Sequence, residues 1–434
     1  MKPIQPTLDF LYGLQLFGMK LGLRNIRALL AAADDPQKRF RCIHVAGTNG
    51  KGSVSAMIAA VLQEAGYRTG LYTSPHLERF NERIRVNGKP ISDKDLARYT
   101  SDFREAIGLR RATFFEATTA IAFRYFADQR VDFAVVETGL GGRLDATNVI
   151  HPEVSVITSI GKDHTEHLGN SLREIAFEKG GIIKRGVPCI SGVEGNAAVR
   201  ELRRIAKRRR SALREVARLR FSATLEERLD RQVVSLTTKS LKVDELTIPL
   251  LGRHQVRNAA VALEAIDELR SRGVEIPQGA IRRGMRKLKF LTGLSGRFEV
   301  LRKSPLVILD VGHNPDGIRT VVETLRNYRR KRIVLVFGVM RDKAYPSMIR
   351  LLSALNPEVF AVTPASERAL PAEVISRLFV LRGCRARVCP SVADGIRAAV
   401  ETEGTEDLLL VCGSHYLAGE ALPALRSELG LKKP

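Results

Sequence analysis

The chain is predicted to fold as an α/β protein in two parts, and three observations carry that reading. Short apolar, β-rich runs alternate with helical patterns through most of the sequence. The 434 residues give length for two or three domains of about 150 residues each. A turn-like stretch, LTGLSGR at 291–297, separates one alternating series from a second.

In chain order, the first series offers CIHVA (42–46), TGLYTS (69–74), FAVVET (133–138) and VSVITSI (154–160) as strands. Their continuous apolar character fits strands covered on both faces, hence a mostly parallel sheet. VVSLTT (233–238) and LTIPL (246–250), with polar residues between, predict a small antiparallel sheet. A boundary falls at 290–297, giving parts 1–293 and 294–434. The second part then reads LVILD (306–310), RIVLVFG (332–338), VFAVTP (359–364) and LLLVCGS (408–414), with helical patterns between them, a second α/β series.

Composition narrows the function classes. Apolar content of 44% and charged content of 27% exclude a disordered or fibrous chain. The formal charge is +23, from 70 Lys plus Arg against 47 Asp plus Glu, and 51 of those basic residues are Arg. Residues 201–220 hold nine basic and two acidic residues, a net of +7, so +16 lies elsewhere. Leu202, Ile205, Leu213 and Val216 approach helical spacing there, which predicts one helix with an apolar stripe and a solvated Arg face. An anion-binding surface is the alternative. No RNA- or DNA-binding motif accompanies the charge, so no dedicated nucleic-acid partner is expected.

No window of about 18 residues is free of charge, and residues 1–30 lack an apolar core followed by a cleavage site. Neither a membrane partner nor export is expected. The five cysteines form no C-x-x-C pair and no zinc-finger spacing, which points to a reducing cytoplasmic setting.

The segment Cys42 to Ser53 is the most informative. An apolar strand runs into Gly47-Thr48-Asn49-Gly50-Lys51-Gly52-Ser53, and a helix follows with Val54, Met57, Ile58, Val61 and Leu62 on one face. The glycines let backbone N–H groups turn inward around phosphate oxygens, and the helix N-terminus adds its partial positive charge. Lys51 can bridge outer phosphates and the Ser53 hydroxyl can reach magnesium. Val45 stands where the common G-x-x-x-x-G-K-[ST] pattern has its first Gly, and Gly52 separates Lys51 from Ser53. A plain turn would not need Lys and Ser at these places, so nucleotide binding is expected.

Strand ends supply the other candidates, because open α/β sheets expose ligand groups there. Glu137 ends an apolar run and reads as a magnesium carboxylate, with Asp145 in the following loop. His164 and His167 follow another strand. Ser171-Leu-Arg-Glu174 reads as a capping box opening a helix that ends at Gly180-Gly181, which makes Lys179 a charge suited to the helix C-terminus. LVILDVGHNPDG sets Asp310, His313 and Asn314 at a strand end, with Pro315 fitted to a first helical turn.

VAGTNGKGS (45–53), SPHL (74–77), NERI (81–84), ETGLGGRLDATN (137–148) and DHTEHLG (163–169) together resemble the folylpolyglutamate synthase/dihydrofolate synthase family of the Mur ligase superfamily. EKGGIIK (178–184), GRHQVRNAA (252–260), SGRFEV (295–300), LDVGHNPDG (309–317) and FGVMRDK (337–343) continue the likeness, in order, from about residue 20 to residue 420. The resemblance implies a Mur-ligase-like P-loop ATPase part followed by a Rossmann-like part. It implies an ATP-dependent ligase that activates a carboxylate of a pterin-bearing substrate as an acyl phosphate, for attack by the amino group of L-glutamate. The substrates would be a reduced folate and dihydropteroate, handled by a monomer.

By motif, Thr48, Asn49, Gly50, Lys51, Gly52 and Ser53 would hold the ATP phosphates. Ser53, Ser74, Glu137, His164 and Lys179 would serve two magnesium ions, Lys179 as a CO₂-derived carbamate. Asn258 would contact adenine, and Arg297, Asp310 and His313 would reach the nucleotide from the second part. Lys51, His164 and Lys179 would carry the catalysis. Thr113, Phe114, Phe115 and Glu116 with Leu144, Asp145 and Ala146 would line the pterin site. The chain departs from many relatives in having Leu294-Ser295 where they carry Trp, and Val311-Gly312 before His-Asn-Pro. A Mur-type ligase with another acceptor, such as a cell-wall precursor, is the alternative enzyme.

Overall fold

The computed structural model describes residues 4–18, 20, 22–216, 221–328 and 330–431. Its largest sheet has eight strands in the order Lys89–Pro90, Ile84–Val86, Thr69–Tyr72, Phe133–Glu137, Arg41–Ala46, Val154–Ile157, Cys189–Ser191 and Leu213–Glu215. All neighbours are parallel from Thr69–Tyr72 onward, and the first three strands form an antiparallel edge. The central strands are buried throughout, as continuous apolar runs require. The helices Lys51–Glu64 and Arg253–Ser271 cover one face, and Arg24–Ala31, Asp93–Arg110 and Phe114–Asp128 cover the other.

The antiparallel excursion is a three-stranded sheet, Phe221–Glu227, Gln232–Thr237 and Lys242–Ile248. Val234, Leu236, Val243, Leu246 and Ile248 bury into the core of the large sheet, so period-two alternation anchors this small sheet on one face. Beyond it lies a six-stranded sheet in the order Glu299–Lys303, Leu306–Leu309, Leu408–Cys412, Ile333–Phe337, Glu358–Ala361 and Ala386–Val388. All its neighbours are parallel except the first pair.

Two local expectations are corrected. The basic run does not form one helix over 201–220. The helix is Asn196–Arg209, and Arg210 turns left-handed at φ 50°. Leu213–Glu215 then adds a parallel edge strand beside Cys189–Ser191, while residues 217–220 lie outside the described residues. Leu202 and Ile205 do face the core, but an open sheet edge offers Leu213 backbone pairing that overrides its helical spacing. The strands also end early. VSVITSI leaves the sheet after Ile157 and TGLYTS after Tyr72, which frees Thr158–Gly161 and Thr73–Ser74 to reach the site above the strand ends.

Candidate active site

The phosphate loop forms as its glycines require. Gly50 caps the helix Lys51–Glu64 at φ 86°, and a methyl group there would stand 2.5 Å from Asn258 Oδ1. A side chain on Gly47 would collide with Thr158 Oγ1. The strand end at 158–161 clamps the loop from outside. Thr48 N donates to Ser159 O at 2.9 Å, Asn49 N to Ser159 Oγ at 2.9 Å, and Thr158 Oγ1 to Asn49 O at 2.7 Å. Thr48 Oγ1 exchanges hydrogen bonds with Gly161 at 3.0 and 3.1 Å. The loop backbone is thereby fixed in an inward-facing shape, with Lys51 Nζ resting 3.3 Å from Thr48 O.

This loop opens onto a cavity of about 720 Å³ lined from both parts of the chain. Thr48, Asn49, Gly50, Lys51, Gly52, Ser53, Ser74, Glu137, His164, Asn258, Arg297, Asp310 and His313 all line it. So do Thr113, Phe114, Phe115, Glu116, Leu144, Asp145 and Ala146. Lys179 is the one expected residue that does not. Its Nζ is buried behind the loop and donates to Gly47 O at 2.9 Å. Burial, aided by the Lys51 charge, pushes the Lys179 amine down to about 7, so it departs from the charged helix cap that its sequence position suggests.

Glu137 is 3% exposed and accepts from Ser74 N at 3.1 Å. Burial raises its carboxyl, opposed by the charges of Lys51, Arg297 and Arg83. Asp310 is likewise raised by burial while accepting from Phe298 N at 2.7 Å and Gly312 N at 2.6 Å. Asn258 Nδ2 donates to Gln255 Oε1 at 2.9 Å, which sets its amide against Gly50. Among the described residues no group of three or more His, Cys, Asp or Glu side chains is arranged to hold a metal. Glu137, Ser53 and Ser74 of the cavity wall nevertheless offer oxygen donors.

A polar clasp joins the two parts. Lys343 Nζ donates to Asp163 Oδ1 at 2.7 Å and lies 3.1 Å from His164 Nε2. Asn314 Nδ2 donates to Asp163 Oδ2 at 3.0 Å, and the Asn49 and Asn314 amides pair at 3.0 and 3.1 Å. Burial alone would raise Asp163. The His313 hydrogen bond and the Lys343 charge outweigh it and hold the carboxyl well below the usual carboxylate range. Burial, with Lys343 beside it, pushes His164 down to about 4, so its ring is neutral and can accept from Lys343.

Removing one partner of this buried pair has a calculable consequence. Lys343→Met is expected to lower stability by about 2–3 kcal/mol at neutral pH, measured by urea unfolding. Because the Asp163 carboxyl is depressed in the folded state, the pair's contribution is whole above the unfolded carboxyl value of about 4 and fades below it. The gap between wild type and variant should therefore narrow as pH falls below that value. A gap unchanged down to pH 3 would contradict the pairing.

The opposite wall is aromatic. Thr113 caps the helix Phe114–Asp128, and Glu116 returns the contact by accepting from Thr113 N at 2.8 Å. Glu116 thus serves the helix end as well as the cavity. Phe114 stacks on Tyr12 at 5.8 Å, and Phe115 lies over Gly139. Asp145 Oδ2 accepts from Leu140 N at 2.8 Å, and Oδ1 accepts from Thr147 N at 3.0 Å and from the Thr147 hydroxyl.

Sequence reasoning assigned no role to Arg83, Asp163 or Lys343, although each sits in a quoted motif. Arg83 is buried, lines the cavity, donates to His76 Nδ1 at 2.8 Å and lies 5.2 Å from the Phe114 ring centre. NERI is polar in three of its four residues, so nothing local marks Arg83 as the one that turns inward beside Phe80 and Phe114. For Asp163 and Lys343, 180 residues apart, no local pattern reveals the pairing.

Residues 45–266 match the Mur ligase middle domain, and residues 296–415 match the Mur ligase, glutamate ligase domain. The dihydrofolate synthase/folylpolyglutamate synthase of Bacillus subtilis is 35% identical over 432 residues, covering 97% of this chain and 99% of the relative. The structure of Escherichia coli FolC in complex with DHPP and ADP superimposes with a TM-score of 0.89 at 29% identity, covering 99% of both chains. That of Mycobacterium tuberculosis folylpolyglutamate synthase complexed with ADP and AMPPCP gives 0.88 at 31% identity, covering all of both chains.

Proposed function

The chain belongs to the folylpolyglutamate synthase/dihydrofolate synthase family of the Mur ligases, and on that footing we infer that it is an ATP-dependent C–N ligase joining L-glutamate to folates. One observation carries the reading for this chain. The phosphate loop, the buried Glu137 and residues Arg297, Asp310 and His313 of the second part all face one cavity with an aromatic wall.

The finer chemistry is part of the proposal. A carboxylate is a poor electrophile, so its oxygen first attacks the γ-phosphorus of ATP and ADP leaves. The glutamate amine then attacks the acyl carbon, the amide forms and phosphate departs. Lys51 and the loop N–H groups would hold the phosphates in line, and Arg297 and His313 would offset charge on the transferred group. Arg83, a buried guanidinium on the aromatic wall, is placed to receive an anionic part of a substrate.

The cavity suits magnesium. Glu137 is a buried carboxylate whose ionised form a divalent cation would favour, and Ser53 and Ser74 add oxygen donors. When bound, magnesium supplies charge neutralisation for the phosphates. A neutral His164 can also donate its ring nitrogen, though it would have to release Lys343. Lys179 is proposed to be carbamylated, which needs the neutral amine that burial favours. No helix among the described residues is long and apolar enough to cross a membrane. A monomer in the cytoplasm is proposed; the five buried, unpaired cysteines fit a reducing compartment.

Glutamate-dependent phosphate release with reduced folate and dihydropteroate, assayed side by side, tests the reading, and both are expected to support turnover. ATP hydrolysis that ignores glutamate with both substrates would overturn it. Asp145→Ala is expected to raise KM for the pterin substrate roughly tenfold or more while KM for ATP stays within about twofold. Equal effects on both would remove Asp145 from pterin binding.

A further inference from the structure

His44 lies in the middle of the strand Arg41–Ala46, fully buried and outside the cavity wall. Its Nε2 is 2.8 Å from Thr147 Oγ1, and that hydroxyl donates to Asp145 Oδ1. Thr147 is itself fully buried. A hydroxyl has one proton to give. With it committed to the Asp145 carboxylate, Thr147 meets His44 as an acceptor, so the imidazole carries its proton on Nε2. The second ring nitrogen agrees: Nδ1 is buried with no hydrogen-bond partner. In this tautomer Nδ1 is a bare lone pair. The opposite tautomer would bury an unpaired N–H, which is the costlier orphan.

A histidine is an unusual occupant of a central apolar strand, because it brings two polar nitrogens into the core. Here one nitrogen is matched and the match leads directly to the site. We propose that His44 is a positioning residue for pterin recognition, acting through Thr147 to fix the Asp145 carboxylate in the orientation that meets the substrate ring. The inference rests on the reading that Asp145 binds the pterin.

The chain of contacts runs one way, from His44 Nε2–H to Thr147 Oγ1–H to Asp145 Oδ1, with Leu140 N holding the other carboxylate oxygen. Cutting it leaves the Asp145 carboxylate on its backbone donors, Leu140 N and Thr147 N, but without a Thr147 hydroxyl fixed from behind to complete its orientation. The ring stays neutral because burial holds its protonated form far below the ordinary histidine range, and the nearby Lys184 charge acts in the same direction. The relay therefore persists across the pH range in which the enzyme would work.

The test compares His44→Leu, which removes the donor, with His44→Gln, which keeps an N–H to offer. Thr147→Val cuts the same chain while conserving shape, and Asp145→Ala removes its end. His44→Leu and Thr147→Val are each expected to raise KM for the pterin substrate about tenfold, with KM for ATP within about twofold. His44→Gln should recover most of that loss. In an Asp145→Ala background the His44→Leu change should add nothing further, since the group it orients is gone.

If Asp145→Ala leaves pterin KM unchanged, the pterin reading itself fails. If Asp145→Ala raises it but Thr147→Val and His44→Leu do not, or both raise pterin and ATP KM alike, the positioning role is overturned. Should His44→Leu fail to fold, Thr147→Val and His44→Gln carry the same comparison. Nitrogen-15 shifts of the His44 ring give an independent readout, and protonation on Nδ1 in place of Nε2 would also overturn the proposal.

Discussion

Lys179→Ala is expected to lower glutamate-dependent turnover by about a thousandfold, the scale of losing a group that fixes charge at a phosphoryl-transfer centre. Lys179 ends the helix Leu172–Lys179, where a solvated cation would be favoured, yet the amine is buried against Gly47 O. Nothing on the surface is gained from its charge, and burial has brought it to about 7, where an appreciable fraction is neutral. A neutral amine can take up CO₂, and an ammonium cannot.

Two further outcomes separate this role from a structural one. Lys179→Met loses one hydrogen bond to Gly47 O, worth about 1–2 kcal/mol, but no longer buries an ionisable amine, so unfolding free energy should change little while activity is lost. For the wild-type enzyme, activity should fall as pH drops below about 7, as the amine is protonated, and labelled bicarbonate should give a carbamate carbon signal absent in the variant. A Lys179→Ala enzyme working near the wild-type rate would remove Lys179 from the mechanism.

Lys51→Ala is expected to reduce turnover by about 10²–10³-fold with a much smaller change in the binding of the adenosine part of the nucleotide. Lys51 opens the helix Lys51–Glu64 in its first turn, and its amine presently rests on Thr48 O within its own loop. That contact is weak enough to exchange for a phosphate. The clamp from Thr158 and Ser159 does not depend on Lys51, so the loop backbone should keep its shape in the variant. Pre-steady-state measurement of ADP formation would locate the loss in phosphoryl transfer. Unaltered ADP formation would place Lys51 outside that step.

The charge excess reads differently with the structure in hand. Glu201 and Glu215 each meet arginines of the basic run, Arg204 and Arg203 respectively. The cations that line the cavity, Lys20, Lys51, Arg83, Arg143, Arg297, Lys343 and Arg368, are seven of the 70. A site for ATP, glutamate and a folate needs those few, and it leaves most of the +23 distributed over other surfaces.

The sequence by itself determined the α/β class, the parallel strands, the antiparallel excursion and the phosphate loop, because each depends on short-range patterns. Continuous apolar runs specify doubly covered strands, and glycines at 47 and 50 specify a turn that no other residue fits. It also determined the candidate residues, whose motifs are local wherever their partners lie. Only the tertiary structure decided how they meet. Leu213 became an edge strand because a sheet edge was open beside it. Lys179 turned inward because Gly47 O was within reach. Asp163 found Lys343, and Asp145 found His44 through Thr147, across separations of 180 and about 100 residues. Hydrogen bonds and ion pairs of that range depend on how sheets and helices stack, and stacking is a property of the whole packed chain, so no window of sequence contains it.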